Sequence, residues 1–217
     1  REAFTLATKC LAWACASKEE AQACLPTSLE RLGVDYIDFY LLHNVGGKRT
    51  AKFDEYDMWN YVADAKERGL VRNIGFSIHD GADVLDELLT AHPNMDFVQL
   101  QVNYLDWDDP VTESARCMEV AAKHGVPVII MEPVRGGRLA NLPERGAAVL
   151  AEANPEASQA SWAYRFCLDL PGVLAVLAGA SSLEQMQDNM RTFQTHQPLN
   201  EQERAAIDGA IAALRSV

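Results

Sequence analysis

Five polar side chains stand at the predicted C-terminal ends of five different strands: Lys9, His43, Ser77, Gln101 and Glu132. In parallel α/β proteins those strand ends share one face, where variable loops build a site on a rigid sheet. Because side chains alternate along a strand, their parity predicts that these five groups point into one interior. A lone lysine or histidine at a strand end is common on surfaces. Polar groups from five strands together predict a functional site.

Two later loops have the composition of an anion-binding site, Arg135-Gly-Gly-Arg138 and Gly179-Ala-Ser-Ser182. Glycines allow a ligand to approach the backbone, arginines offer paired donors, and a helix that opens at Ser181 would present free amides. In barrels of alternating parallel strands and helices, phosphate commonly binds in the loops that follow the last two strands. The alternative interpretation is a flexible loop with two solvated arginines.

Strand and helix patterns alternate along the whole chain, which predicts a parallel sheet with crossover helices. Each predicted strand is rich in branched or aromatic residues, and a helix signal follows it. The six predicted strands are Phe4 to Lys9, Tyr36 to His43, Arg72 to Ser77, Phe97 to Val102, Val126 to Val134 and Val173 to Gly179.

The first predicted helix has clear start and stop signals. Ser17 with Glu20 fits a capping box, and Gly33 fits a helix end. Pro26 lies inside this helix, where it removes a backbone hydrogen bond. We therefore expect a kink near Cys24 to Pro26.

Length and composition indicate one soluble globular domain over residues 1–217. The net charge of −12 disfavours nucleic acid and anionic lipid surfaces as partners. Apolar runs stay short of the ~20 residues that span a bilayer, and no signal pattern opens the chain, so a cytoplasmic location is expected. The five cysteines are scattered without metal-site spacing, so we expect no metal.

Three motifs resemble the aldo-keto reductases: the run Ser28 to His43, Ile74-Gly-Phe-Ser77, and Met131-Glu-Pro-Val-Arg-Gly-Gly137. The last motif resembles the branch whose members often carry an additional C-terminal iron-sulfur domain, although this chain lacks the cysteine motifs of that domain. The resemblance implies a (β/α)8 TIM barrel, incomplete here at about six βα units. It also implies an oxidoreductase that transfers hydride between a nicotinamide cofactor, NADP (NADPH) or NAD, and an aldehyde or ketone.

The resemblance assigns roles to individual residues. Lys9 matches the lysine that lowers the pKa of a catalytic tyrosine, and His43 matches the residue that orients the substrate carbonyl. Asn44 and Trp107 are expected to contact the substrate. The expected cofactor-binding residues are Ser77, Gln101, Met131, Glu132, Pro133, Val134, Arg135, Gly136, Gly179, Ser181, Gln185, Asp188 and Asn189.

This chain departs from the family pattern at its start. Family members begin with two further strands that carry the catalytic tyrosine and its aspartate, so we expect an N-terminally truncated barrel. Tyr40 faces the helices by parity, and Tyr36 stands at the start of its strand. The alternative function is therefore a non-catalytic cofactor-binding or regulatory protein. Open sheet edges would favour self-association.

Overall fold

The computed structural model describes residues 3–215, and its strands alternate with helices along the chain. The strands are β1 (Ala7–Cys10), β2 (Ile37–Val45), β3 (Val71–Ile78), β4 (Phe97–Gln101), β5 (Val128–Met131) and β6 (Val173–Val176). The helices are α1 (Lys18–Leu32), α2 (Thr50–Glu55), α3 (Met58–Glu67), α4 (Ala82–Ala91), α5 (Ser114–Lys123), α6 (Glu144–Ala153), α7 (Gln159–Leu168), α8 (Leu183–Gln194) and α9 (Glu201–Arg215). Within the described part of the chain, no helix is long and apolar enough to cross a membrane.

The strands form one sheet in chain order, from β1 at one edge to β6 at the other. The pairs β1–β2, β2–β3 and β3–β4 are parallel, and their register places Lys9 beside Leu41 and Ser77 beside Gln99. Each predicted strand is present, which confirms the α/β class with six βα units. Over residues 3–215 the sheet stays open and does not close into a barrel.

Strand β5 differs most from its predicted bounds. The sequence pattern predicted a strand through Val134, but β5 ends at Met131. Glu132 has φ of 57° and Arg135 has φ of 50°, so the chain leaves the extended conformation directly after Met131. Strand parity therefore does not determine where the Glu132 side chain points, and that side chain is exposed.

The chain forms two compact units. The first unit contains the described residues up to Leu100 together with Arg116–Val128. The second unit contains Gln101–Ala115 together with the described residues from Ile129 onward. A single domain over residues 1–217 stays a prediction.

Aromatic contacts fill the core of the first unit. Phe39 meets Phe97 edge to face at 5.4 Å between ring centroids, and Trp59 meets Phe76 in the same way at 5.9 Å. Gly75 of β3 is the register partner of Phe97 in β4, and a Cβ there would stand 2.3 Å from the Phe97 carbonyl oxygen. Only glycine fits at this position without a movement of the backbone.

Helix α1 runs through Pro26, as the predicted bounds require, and the kink near Cys24 to Pro26 stays a prediction. Proline cannot donate to the carbonyl four residues earlier, that of Gln22. The Tyr61 hydroxyl donates to this Gln22 oxygen at 2.7 Å and replaces the missing donor. At the ends of the helix, the Ser17 cap and the left-handed Gly33 terminus confirm the predicted start and stop.

The core of the second unit is a separate apolar cluster. Trp162 belongs to this cluster and has no exposed surface, and α9 contributes Ile207 and Ala210. The remaining buried members of this cluster are Tyr104, Leu139, Leu150, Ala163, Leu199 and Ala206. Asn200 caps α9, since its Oδ1 accepts from the Glu203 main-chain amide at 2.9 Å.

Candidate active site

In the first unit, Lys9 and His43 lie near the C-terminal ends of the paired strands β1 and β2. Both side chains are half-buried. Burial lowers the pKa of His43, and the positive charges of Lys9 and then His79 lower it further. The imidazole is therefore held neutral at pH 7, which suits a hydrogen-bond donor or acceptor to an uncharged group.

The ring of His43 is only partly satisfied. Its Nδ1 is buried and has no hydrogen-bond partner among residues 3–215. Its main-chain oxygen accepts from Trp13 Nε1 at 2.9 Å, which ties the short turn Ala12–Ala14 to the end of β2. The sequence pattern did not predict this role of Trp13, because it depends on a contact between residues far apart in the chain.

Ser77 and Asn44 are joined by a direct hydrogen bond. Ser77 is fully buried on β3, and its Oγ accepts from the Asn44 main-chain amide at 2.8 Å. Asn44 has φ of 57°, and the register of β2 with β3 shifts between Leu42 and Val45. This bulge carries the Asn44 amide to Ser77, as bulges beside functional sites often do. The Asn44 Oδ1 is buried without a partner in the described chain.

In the second unit, Asp106 is the centre of a buried polar network. Its Oδ2 accepts from Gln101 Nε2 and from Asn103 Nδ2, each at 2.8 Å. Arg135 Nε lies 3.0 Å from Asp106 Oδ1, and the Asp106 side chain is 1% exposed. Asn103 also donates to the Glu132 carbonyl oxygen at 3.1 Å. The network thus links the end of β4 to the loop after β5.

Sequence reasoning missed Asn103 and Asp106, although it singled out Gln101 and Arg135. Both missed residues follow β4 in the run Gln101-Val-Asn-Tyr-Leu-Asp106. The available signal was two polar residues within the otherwise apolar run that follows the predicted strand, and the structure shows both of them buried. Because Gln101 donates through Nε2, its carbonyl oxygen Oε1 is not used by this bond.

The start of α8 uses several predicted cofactor residues for its own structure. The helix cap is Ser182, one residue later than predicted, and its side chain accepts from the Gln185 amide. Gln185 Oε1 accepts from the Ser181 amide at 2.7 Å. Asn189 Nδ2 donates to the Gly179 carbonyl oxygen at 3.3 Å. Together these bonds hold the loop after β6 against the first turns of α8.

The other predicted residues fall in one unit or the other. Asn44 lies in the first unit with Lys9, His43 and Ser77. Trp107 lies in the second unit, where its ring meets Phe166 edge to face at 5.4 Å. Met131 and Pro133 are buried in the second unit, whereas Gly136 and Gly179 are exposed. The convergence of all these residues in one site stays a prediction.

The parallel α/β sheet with polar groups at its strand ends defines the class of protein, and comparison with known proteins gives the family. The Aldo/keto reductase family profile matches residues 1–212, so the chain belongs to this family. An aldo-keto reductase of Mycolicibacterium vanbaalenii is 31% identical over 191 residues, which cover 88% of this chain and 63% of the relative. The chain thus spans less than two thirds of that relative's length.

Solved structures give the same result. The holo form of aldo-keto reductase AKR11C1 from Bacillus halodurans superposes with a TM-score of 0.76 at 30% identity, covering 97% of this chain and 73% of that one. An aldo-keto reductase from Klebsiella pneumoniae in complex with NADPH has a TM-score of 0.72 at 21% identity, covering 96% and 70%. The second likeness shows the shared fold.

Proposed function

We propose that this chain is the part of an aldo-keto reductase that binds a nicotinamide cofactor and the carbonyl of an aldehyde or ketone. The observation that carries the proposal is that Lys9 and a neutral, half-buried His43 lie near the C-terminal ends of the paired strands β1 and β2, where the charge of Lys9 helps to lower the pKa of His43. A neutral imidazole can donate a hydrogen bond to a carbonyl oxygen and leave the proton transfer to another group. Family membership supports the same chemistry.

Each residue of the first unit would have a distinct task. His43 would donate to the substrate carbonyl and stabilise negative charge as it builds on oxygen. Lys9 would lower the pKa of the tyrosine that gives the proton in this family. Asn44 would contact the substrate. Ser77 accepts from the Asn44 main-chain amide, and its hydroxyl would donate to the nicotinamide carboxamide.

The first unit fits such a ligand at two points. His43 Nδ1 and Asn44 Oδ1 are buried polar atoms without partners among residues 3–215. Buried polar atoms normally have partners, so a polar ligand is a natural complement to both. When bound, the reduced nicotinamide supplies the hydride.

The second unit would supply further cofactor contacts. Gln101 would hold the carboxamide through its unused Oε1, and Met131 would pack against the ring. The segment Pro133 to Gly136 would cover the pyrophosphate. The residues after β6 would contact the adenosine end through Gly179, Ser181, Gln185, Asp188 and Asn189. NADP and NAD are both compatible with this set.

One observation favours the alternative of a non-catalytic cofactor-binding protein. The chain's own Tyr40 is fully buried, and burial raises its pKa strongly, so it cannot serve as the proton donor. Tyr36 stacks against the Arg72 guanidinium at 3.9 Å, at the opposite end of β2 from His43. Neither tyrosine stands in for the family's general acid.

A paired assay separates the two functions. NADPH and NADH binding is measured by calorimetry, and oxidation of the bound cofactor is followed at the nicotinamide absorbance with 4-nitrobenzaldehyde. Binding with turnover supports the reductase, and binding without turnover supports the alternative. Absence of binding for both cofactors contradicts the proposal.

A further inference from the structure

A cavity of about 430 Å³ in the second unit is lined by four arginines, Arg135, Arg138, Arg145 and Arg215. It lies among the loop after β4, the loop after β5, the start of α6 and the end of α9. Its volume falls in the range of small-molecule sites, ~300–1,000 Å³. Such a concentration of cations is unexpected in a chain of net charge −12.

The lining residues carry an excess of positive charge. The cavity is lined by two carboxylates, those of Asp106 and Asp109, and by four guanidinium groups, so its lining carries an excess of two positive charges. Asp106 is buried and paired with Arg135. Asp109 Oδ1 accepts from the main-chain amides of Thr112 and Val111, each at 2.9 Å, and these bonds lower the pKa of the carboxyl. Both carboxylates are thus already engaged.

Two of the guanidinium groups, those of Arg145 and Arg215, are held in position by main-chain carbonyl oxygens. Arg145 Nη2 donates to the Leu214 carbonyl oxygen at 3.4 Å, and Arg215 Nη2 donates to that of Leu105 at 3.1 Å. A carbonyl oxygen fixes a side chain without neutralising it, and each guanidinium has five N–H donors. Among the described residues, neither Arg138 nor Arg215 forms an ion pair. Pre-positioned donors reduce the ordering cost of binding.

The rest of the wall is apolar. Its members are Leu105, Leu139, Leu142, Pro143 and Leu214. Arginine pairs bind phosphate and carboxylate oxygens in a bidentate manner, and apolar walls bury a carbon skeleton. We propose that this cavity binds a small organic molecule that carries a dianionic oxyanion group, either a phosphate monoester or a dicarboxylate.

This site goes beyond the proposed function and does not depend on it. Arg135 is shared with the loop assigned to the cofactor, whereas Arg145 and Arg215 lie on α6 and α9 and have no proposed cofactor role. Variants of those two arginines therefore test the cavity separately from the reductase proposal.

The test is calorimetric titration of the intact chain with phenyl phosphate and with phthalate, at low ionic strength. We expect binding of at least one probe, and at least about tenfold weaker binding of the monoanion benzenesulfonate, because one charge-assisted contact is worth roughly that factor. The affinity for phenyl phosphate should rise from pH 5 to pH 7, since its second ionisation lies near pH ~6. Failure of both probes to bind overturns the site.

The double variant Arg145→Gln/Arg215→Gln should lose about 100-fold in affinity, since it removes two charge-assisted contacts. The matched control, Arg31→Gln/Arg68→Gln, makes the same charge change at two exposed positions of the first unit, one in α1 and one directly after α3, and should stay within about twofold. Equal losses of affinity in the two double variants would show that only the net charge of the chain matters, and would contradict the proposal.

Two further measurements complete the test. If the double variant does not fold, Arg138→Gln replaces it. Arg138 is exposed, so this variant is expected to fold, and its affinity for phenyl phosphate should fall about tenfold. Phenyl phosphate should still bind when the chain is first incubated with excess NADPH. Loss of probe binding with NADPH would assign the cavity to the cofactor's own phosphates and overturn a separate site.

Discussion

At the scale of single residues, His43 is the group whose environment is most closely tied to chemistry. Burial and the neighbouring charges of Lys9 and His79 all disfavour the imidazolium. A histidine held neutral in the folded state binds fewer protons than in the unfolded state. Its contribution to stability is therefore present at neutral pH, and it is lost as the pH falls below the unfolded value of ~6.5.

We predict that the titration midpoint of His43, followed by NMR of the ring protons, lies below ~6.5. Lys9→Met should raise this midpoint because it removes a neighbouring positive charge. Lys48→Met changes an exposed lysine of the turn after β2 and should leave the midpoint in place. A midpoint at or above the ordinary value, or one that Lys9→Met does not move, would contradict this electrostatic description.

Asp106 is the residue on which the second unit's polar network depends. Asp106→Asn would weaken the bonds from Gln101 and Asn103 and remove the charge that faces Arg135. We expect the free energy of unfolding in urea to fall by about 1–3 kcal/mol. Asp108→Asn, two residues away and exposed, should change it by less than about 0.5 kcal/mol. Equal effects of the two substitutions would refute the importance of the network.

At the scale of elements, β3 and β4 can approach closely only because residue 75 has no side chain. Gly75→Ala would place a Cβ 2.3 Å from the Phe97 carbonyl oxygen, an impossible contact without backbone movement. We expect a loss of roughly 2–4 kcal/mol in unfolding free energy, measured by chemical denaturation. Gly179→Ala meets no atom within 4 Å and is the matched control. An unchanged stability of Gly75→Ala would show that the strands separate at little cost.

Sequence patterns predicted the elements well where local chemistry determines them. Apolar and branched runs identified all six strands, and Ser17 and Gly33 identified the ends of α1. The end of β5 was not predicted, because the residue type of Glu132 does not indicate that its backbone adopts a left-handed conformation. The helix was predicted to run past Pro26 to Gly33, as α1 does, but the donor that replaces the missing Pro26 amide could not be predicted, because Tyr61 comes from another helix. The kink near Cys24 to Pro26 stays a prediction.

The same distinction holds for the candidate site. Lys9, His43, Ser77 and Gln101 could be proposed because strand ends and parity are visible in the sequence. Their hydrogen-bond partners could not be predicted. Asn44 reaches Ser77 only because the register of β2 shifts beside it. Asp106 contacts Gln101 and Arg135 only because the loop after β4 folds back on itself. Tertiary hydrogen bonds of this kind have no fixed spacing along the chain.

At the scale of the whole molecule, large apolar side chains are exposed along both edge strands and the helices beside them. On the β6 side these side chains are Leu174, Leu177, Leu183, Met186 and Met190. On the β1 side they are Phe4, Leu11, Trp13 and Leu32. Exposed apolar patches and open edges favour association.

We predict that this chain self-associates, with an average mass in sedimentation velocity that rises with protein concentration. Met186→Lys/Met190→Lys should lower that mass, because it places two charges on the exposed face of α8. Lys replacement of two exposed polar residues of the same chain, Gln187 and Gln194, is the control for added charge. A single monomeric species at all concentrations would contradict the prediction.

The claim that Lys9 and His43 form the centre of a carbonyl reductase is tested most directly by Lys9→Met. In protein that oxidises NADPH with an aldehyde, we expect kcat to fall by at least about 100-fold, the usual scale of general acid–base assistance. NADPH affinity should stay nearly unchanged, and Lys48→Met should retain full turnover. Turnover that survives Lys9→Met would contradict the mechanism proposed here.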